Sequence, residues 1–229
     1  MGPSVAISGG RAAAPNAPSR TIRAKLLVDG AHYEELIVRA IATATVSVWI
    51  STANLKTMMV EAEVGSRARA RGRYVSFFET LGALARRGVD VCILHASPPS
   101  GPLQRELARL AKNASGVKRR RCPRVHLKMI AVDGKLLYLG SANLTGAGLG
   151  AKGDGRRNFE MGILTDSEAM LDAAQGRFDR IWRGRECGTC TMRRECDAPL
   201  DLVKTLVNVK ATTSRGTSRR TCRSPSSPR

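Results

Sequence analysis

The chain has 229 residues, of which 42% are hydrophobic and 4% aromatic, and its formal net charge is +19. This length and composition are sufficient for one substantial hydrophobic core. The scarcity of aromatic residues excludes base stacking as a binding device used throughout the chain. No apolar run reaches the roughly 20 residues that a membrane-spanning helix needs, so the sequence predicts no transmembrane segment.

The positive charge is concentrated at the two ends of the sequence. Residues 1–25 contain four basic and no acidic side chains, and residues 202–229 contain seven basic and no acidic side chains. The remaining 27 basic and 19 acidic side chains lie between these two ends. Both ends are rich in small and polar residues, which is typical of disorder. We therefore predict disordered tails at 1–24 and 202–229, a folded domain at 25–185 and a cysteine-rich segment at 186–201.

Apolar periodicity and turn signals predict helices that alternate with strands along the domain. The predicted helices cover about 31–43, 74–87, 102–112 and 166–182. The predicted strands cover about 45–50, 89–94, 125–133, 135–141 and 158–165. This alternation indicates an α/β sandwich, in which helices flank a mixed sheet that contains at least one antiparallel hairpin.

The most specific pattern lies between residues 126 and 143. It reads H-x-K-x4-D-x6-G-S-x-N and consists of His126, Lys128, Asp133, Gly140, Ser141 and Asn143. The dipeptide Asp133-Gly134 between two apolar runs is a strong hairpin signal. A two-residue turn there would pair Val132 with Lys135 and set His126 opposite Ser141. Asp133 would then form the turn, far from the other polar groups.

Because side chains alternate along a strand, this register places His126, Lys128, Ser141 and Asn143 on one face. Lys128 supplies positive charge, and Ser141 and Asn143 supply neutral hydrogen-bond donors. Together these groups suit the nonbridging oxygens of a phosphate. His126 is the member of the set that can act as nucleophile or proton carrier near neutral pH. The alternative interpretation is a core hairpin with a buried, hydrogen-bonded histidine.

The pattern resembles the HKD signature of the phospholipase D superfamily. That resemblance implies a phospholipase D-like fold and cleavage of phosphodiester bonds without a catalytic metal or other cofactor, through a phosphohistidine intermediate. Such a site needs two histidines, and this chain has one copy of the signature. The segment Ile50–Leu55 echoes Ser141–Leu144, but Ile37 stands where its histidine would be. The resemblance therefore implies a homodimer whose two chains share one active site.

The resemblance covers roughly residues 26–184 and includes a second motif. Asn158-Phe159-Glu160 matches the family's N-x-E segment. By that match Glu160 is expected to bond the His126 ring and fix its tautomer, with Asn158 as a supporting group. The alternative for Glu160 is an ordinary surface carboxylate.

A basic run leads directly into the predicted catalytic strand. We expect four of its side chains to extend the phosphate contacts beyond the scissile bond: Arg119, Arg120, Arg121 and Arg124. Such runs are commonly solvated loops, and that interpretation stays open.

Three of the six cysteines are closely spaced in the sequence. Cys187, Cys190 and Cys196 follow the pattern C-x2-C-x5-C, which resembles part of the iron–sulfur staple of some DNA-processing nucleases. Without a secretory signal, such spacing favours a metal over disulfides, and zinc is equally compatible with thiolate ligands. Cys122 is the preferred fourth ligand, since Cys92 lies in a predicted buried strand and Cys222 in a predicted tail. The alternative is a set of unligated thiols.

These observations lead to three functional hypotheses. The first is a homodimeric, metal-independent phosphodiesterase that cleaves nucleic acid. The second is a phospholipase D acting on phospholipid head groups, for which basic tails would bind anionic lipid as well as they bind nucleic acid. The third is a module that binds a nucleic-acid backbone without catalysis. We expect the protein in the cytoplasm, because the first residues lack the apolar stretch of a secretory signal.

Overall fold

The computed structural model describes residues 21–62, 72, 74–112 and 116–202. Most of both predicted tails lies outside these residues. In chain order, the strands are β1 (Ala24–Val28), β2 (Ser47–Thr52), β3 (Met59–Glu61), β4 (Tyr74–Ser76), β5 (Asp90–His95), β6 (Lys118–Arg121), β7 (Met129–Val132), β8 (Leu136–Gly140) and β9 (Met161–Thr165). The longer helices are α1 (Tyr33–Ile41, of π type), α2 (Phe77–Arg86), α3 (Gly101–Lys112) and α4 (Glu168–Trp182).

Seven strands form one mixed sheet in the order β1-β9-β8-β7-β2-β5-β6, and β3 and β4 form a separate hairpin. Strands β2, β5 and β6 are parallel, whereas the other neighbours in the large sheet are antiparallel. The predicted α/β sandwich with a mixed sheet flanked by helices is confirmed. No helix in the described ranges combines the length and apolarity needed to cross a bilayer.

The two faces of the sheet are covered by different helices because alternate residues of each strand point to opposite sides. On one face, Val48 and Ile50 of β2 pack in a core that also receives buried side chains of α1, α2 and α3. On the other face, Trp49 stacks on Phe178 of α4, which in turn stacks on Trp182. Both cores thus depend on the central strands.

The strand directions gather several chain segments at one edge of the sheet. The carboxyl ends of β2, β5, β6 and β8 lie there, and β7 and β9 start there because they run in the opposite direction. The predicted strands at 125–133 and 158–165 begin at Met129 and Met161 instead. His126, Asn158 and Glu160 consequently lie in loops at this edge, which we call the site edge.

The hairpin formed by β7 and β8 was predicted with the wrong register. Val132 pairs with Leu136, and Met129 pairs with Leu139. Lys135 is taken into the turn, where its amide donates to the Val132 carbonyl at 3.0 Å. Each partner is therefore one residue further along β8 than predicted, and His126 is not paired with Ser141. Loops, and not a continued ladder, position these two side chains.

The prediction that Asp133 forms the turn is confirmed, and its carboxylate has a further role. Asp133 has a positive φ of 54°, as does Gly134 with 65°. The Asp133 carboxylate accepts hydrogen bonds from the amides of Thr45, Val46 and Ser47 and from the Thr45 hydroxyl. Burial alone would raise the pKa of Asp133, but these bonds outweigh burial and lower the pKa. Asp133 thereby fastens the hairpin to the start of β2.

We expect Asp133→Ala to lower the free energy of unfolding by about 2 kcal/mol, because several bonds to a charged acceptor are lost. Urea denaturation at neutral pH measures the change. Since the folded state lowers this pKa, the contribution of Asp133 is present above the unfolded pKa and is lost as the pH falls through the folded pKa. The difference between wild type and variant should therefore shrink in acid. Lys135→Ala, in the same turn, is the control, and an equal loss there would contradict this role.

Candidate active site

His126 and Lys128 lie next to each other in the extended segment that leads into β7. The Lys128 Nζ lies 2.8 Å from the His126 Nε2 and 3.1 Å from the His126 carbonyl oxygen. An ammonium group can only donate, so the His126 Nε2 is the acceptor and carries a lone pair. Val125 is buried and anchors the segment, while the His126 side chain is exposed. The imidazole is therefore accessible to a ligand at the site edge.

A second group of polar side chains is centred on Glu160. The Ser141 hydroxyl donates to Glu160 Oε2, and the Asn158 amide nitrogen donates to Glu160 Oε1 at 3.0 Å. The backbone amide of Glu160 donates to the Asp29 carboxylate at 2.8 Å. Ser141 also accepts a hydrogen bond from the Met161 amide at 3.1 Å. These contacts join the end of β8 to the loop before β9.

Glu160 was expected to bond the His126 ring, but its two carboxylate oxygens accept bonds from Ser141 and Asn158. Glu160 nevertheless lies close enough to act on Lys128 electrostatically. Burial lowers the pKa of Lys128, and the Glu160 carboxylate opposes that shift. The two groups of the site are thus coupled by charge across the edge of the sheet.

Asn143 is held by the loop that follows β2. Its side-chain oxygen accepts hydrogen bonds from the amides of Ala53 and Asn54, both at 3.2 Å, and from the Thr52 hydroxyl at 3.3 Å. The segments that echo each other in sequence also lie side by side, because Leu55 and Leu144 form a parallel bridge. With its oxygen engaged, Asn143 has its side-chain nitrogen left as a donor.

Gly140 is required by the packing of Tyr138. A Cβ atom at Gly140 would lie 2.8 Å from the Gly162 Cα and would also collide with the Tyr138 hydroxyl, and a Cβ at Gly162 would collide with the Tyr138 ring. Burial raises the pKa of Tyr138 to about 12. Its hydroxyl accepts from the Ala142 amide at 3.3 Å. The neutral phenol therefore supports the backbone on both sides of Ser141.

Two supporting residues were missed by the sequence analysis, namely Asp29 and Tyr138. Asp29 has a positive φ of 44° and precedes Gly30, so it repeats the Asp-Gly turn signal of Asp133-Gly134. The Asp29-Gly30 dipeptide is therefore a signal in the sequence from which the turn at Asp29 could have been predicted. Tyr138 carried no comparable signal, because a tyrosine in an apolar strand is an ordinary core residue.

The four arginines predicted to contact the substrate have different surroundings in the structure. Arg120 stacks over Trp182 at 4.9 Å and donates to the Trp182 carbonyl. Arg121 bonds Asp197 and the Ala96 carbonyl. Arg119 and Arg124 are both exposed. Arg120 and Arg121 therefore make contacts within the protein, because the run forms an edge strand and not a solvated loop.

His95, a further histidine at the site edge, is buried. Its Nδ1 donates to the Ser97 carbonyl oxygen at 2.9 Å. Burial lowers the pKa of His95, and the bond to Ser97 opposes the shift. His95 is thus part of the packing beneath the site edge.

The four cysteines proposed as metal ligands line one cavity of about 100 Å³. Burial raises the pKa of Cys122, and the nearby Cys187, Cys196 and Cys190 raise it further. In the described ranges no group of three or more His, Cys, Asp or Glu side chains is arranged to hold a metal ion. The structure thus brings the predicted ligands to one place without a preformed coordination sphere.

The sequence matches the family model described as "Cardiolipin synthase, PLD-like domain" over residues 37–182. This match spans more than half of the chain, and the chain belongs to this phospholipase D-like family. The mixed sheet with helices on both faces agrees with the resemblance noted from the sequence.

Several solved structures are similar to this chain. Nuc, a phospholipase D family member from Salmonella typhimurium, is 19% identical with a TM-score of 0.49, and NucT from Helicobacter pylori is 18% identical with a TM-score of 0.47. Each match covers 70% of this chain and 95% of the other. TrmBL2, an archaeal chromatin protein described with a novel mode of DNA binding, is 12% identical with a TM-score of 0.43, covering 74% of this chain and 56% of its own. No curated protein matches the sequence significantly.

We expect Glu160→Gln to lower the pKa of Lys128 further, because the carboxylate that opposes the effect of burial is removed. A pH titration of the lysine side-chain NMR signals, assigned with Lys128→Arg, measures the shift. Glu168→Gln, on the exposed start of α4, is the control and should leave Lys128 unchanged. An unchanged Lys128 pKa in Glu160→Gln would refute the coupling.

Proposed function

We propose that this protein is a metal-independent phosphodiesterase that hydrolyses nucleic acid and works as a homodimer. The observation that carries the proposal is the exposed His126 imidazole, whose Nε2 lies 2.8 Å from the Lys128 Nζ at the edge of the sheet that also carries Ser141, Asn143 and Glu160. A nucleophile, a cation and neutral donors at one edge of the sheet suit attack on a phosphodiester.

In the proposed reaction, the phosphate takes the place of the His126 ring as the partner of Lys128. The His126 Nε2 attacks phosphorus and forms a P–N bond, while the bond from phosphorus to the leaving oxygen breaks. The leaving oxygen takes a proton from the His126 imidazolium of the second chain. That imidazole then removes a proton from water, whose oxygen displaces His126 from phosphorus and restores both histidines.

Lys128 and the side-chain nitrogen of Asn143 would hold the nonbridging oxygens, on which negative charge builds up during both steps, and Ser141 would join them by turning its hydroxyl from Glu160 to the phosphate. Glu160 would act by positioning, since it accepts hydrogen bonds from Ser141 and Asn158. Because two imidazoles carry the covalent and proton-transfer steps, this chemistry requires no metal ion.

The second histidine would come from a second copy of the chain, and an exposed apolar patch next to the site supports this arrangement. The patch consists of Leu26, Val28, Phe159 and Met161, which are 58%, 45%, 96% and 57% exposed. Val28 pairs with Met161 across β1 and β9. Phe159 lies between Asn158 and Glu160, so a partner seated on the patch would also border the site. Large apolar side chains this exposed commonly mark an interface.

Nucleic acid is favoured as the substrate by the charge around the site. The loop that joins Asn143 to Asn158 carries Lys152 and Arg156, both exposed, and Lys56 is exposed beside Leu144. Basic side chains on both sides of a reacting phosphate would bind the neighbouring phosphates of a polymer. Arg124 remains a candidate contact from the opposite side.

A phospholipid substrate is the second candidate, and the exposed Phe159 favours it. An aromatic side chain that is 96% exposed beside the site could enter a lipid interface as well as a dimer interface. The same catalytic residues would act on the head-group phosphodiester.

We expect His126→Asn to reduce phosphodiesterase activity by roughly 10³-fold or more, because the nucleophile is lost. Single- and double-stranded DNA, RNA and mixed anionic vesicles, all with EDTA, are the substrates. Leu127→Ala, on the same segment, is the control and should remain active. Cleavage of lipid alone would overturn the nucleic-acid proposal. Tight, salt-sensitive binding of nucleic acid without any cleavage would instead identify a binding module.

We expect Phe159→Glu to weaken self-association by roughly 10- to 100-fold, because burial of a large apolar side chain contributes about 1.5–3 kcal/mol. Sedimentation velocity over a concentration series measures the dissociation constant, and activity should fall in parallel. Val46→Glu is the control, since Val46 is 56% exposed at the opposite edge of the sheet. A fully active monomer would refute the shared site.

A further inference from the structure

Four cysteine side chains meet where the C-terminal part of the described chain packs against the segment before β7. Cys122 lies in that segment, and Cys187, Cys190 and Cys196 lie between the end of α4 and Leu200. All four line the same cavity of about 100 Å³. Their thiols are not joined in disulfides. Cys122 thus lines one cavity with three cysteines that follow it in sequence by 65 or more positions.

The segment 186–201, which carries three of these cysteines, is held mainly by ion pairs, among them those of Glu186 with Arg177 and Arg180 of α4. Its regular structure is a single turn of 3-10 helix at Thr191–Arg194, which has no buried residues. Leu200 is its buried apolar anchor, and the ion pairs Arg121–Asp197 and Arg193–Asp201 tie it to itself and to β6. Ion pairs that are partly open to solvent, as these are, contribute modestly to stability. A segment so poor in apolar contacts commonly depends on a cross-link.

We propose that Cys122, Cys187, Cys190 and Cys196 bind a structural metal centre through four thiolates, which fastens the C-terminal segment to the chain that leads into the active site. Each thiol would release its proton and donate a sulfur lone pair to the metal. Tetrahedral zinc and an iron–sulfur cluster share this ligand chemistry. The metal site would be separate from the catalytic groups, because in the described part of the chain His126 and Glu160 bond Lys128, Ser141 and Asn158 and none of the four cysteines.

The surroundings of the cavity suit a negatively charged centre. Four thiolates around a divalent ion carry a net charge of about −2. Arg124 and Arg193 both line the cavity, so two positive charges lie beside the four cysteines. Hydrogen bonds from such outer groups orient thiolate ligands and stabilise their charge.

The thiols would have to close on the cavity, because they are not arranged as a coordination sphere at present. This movement costs little where the chain is irregular. Cys190 and Cys196 flank a short 3-10 turn, and neither belongs to a strand of the sheet. Cys122 and Cys187 pack against the α4 core and would provide the fixed half of the site.

A metal bound to Cys122 would also affect the active site, because Cys122 lies close to His126 in sequence. Cys122 precedes His126 by four residues, and its carbonyl accepts from the Val125 amide at 3.0 Å. A metal bound to Cys122 would therefore stiffen the turn from which His126 projects. Loss of the metal should disturb His126 as well as the C-terminal segment.

The test is the metal content of the full-length protein, purified without oxygen and without chelators. Elemental analysis should give about one zinc per chain, or iron with matching acid-labile sulfide and broad visible absorption. Each of Cys122→Ser, Cys187→Ser, Cys190→Ser and Cys196→Ser should lose the metal and lower the melting temperature. Met192→Leu is the matched control, since it lines the same cavity without a thiol, and His126→Asn should also keep the metal.

If a cysteine variant fails to fold, the same question is tested on the wild-type protein by removing and restoring its metal. Its metal should be released by a chelator with loss of thermal stability and should rebind with recovery of that stability. Absence of metal, together with four thiols that react with a thiol reagent in the native protein or with a disulfide among them, would overturn the proposal. Retention of the full metal content by Cys122→Ser would overturn the four-ligand set.

Discussion

The structure depends on the way in which one mixed sheet collects chain ends at a single edge. Parallel strands β2, β5 and β6 end there, and the antiparallel neighbours β7 and β9 start there. Polar side chains placed just beyond strand ends are therefore brought together although they are far apart in sequence. Asn143 bonded to the loop after β2, and Glu160 bonded to Asp29 after β1, are two results of this constraint. The candidate site consists of loops that a rigid sheet holds in place.

The sequence was sufficient to predict the parts of the fold that depend on local pattern. The alternation of helices and strands, the Asp133 turn and the buried position of Cys92 follow from apolar periodicity and turn chemistry. The predicted register of the β7–β8 hairpin was wrong by one residue. A two-residue turn would pair Lys135 with Val132, whereas the three-residue turn leaves Lys135 in the turn, and the sequence pattern does not distinguish the two. Strand β1 was missed because its edge position leaves most of its side chains exposed.

Long-range contacts account for the errors within the site and its surroundings. Arg120 and Arg121 resembled a free phosphate track in sequence, but an edge strand next to α4 gives them Trp182 and Asp197 as partners. Within the chain Glu160 bonds Ser141 and Asn158 and not the His126 ring, because the packing of the loops at the site edge decides its partners. The four cysteines predicted as metal ligands line one cavity, and their role as ligands stays a prediction. Spacing alone could identify these residues, although it could not give their distances.

The two tryptophans of the chain, Trp49 and Trp182, are both buried on the face of the sheet covered by α4, with Phe178 stacked between them. The site edge that carries His126 contains no tryptophan in the described residues. Tryptophan fluorescence of this protein therefore reports on one layer of the molecule. It will respond when Arg120 leaves Trp182 and the neighbouring C-terminal segment detaches, and it will stay silent while a ligand enters the site.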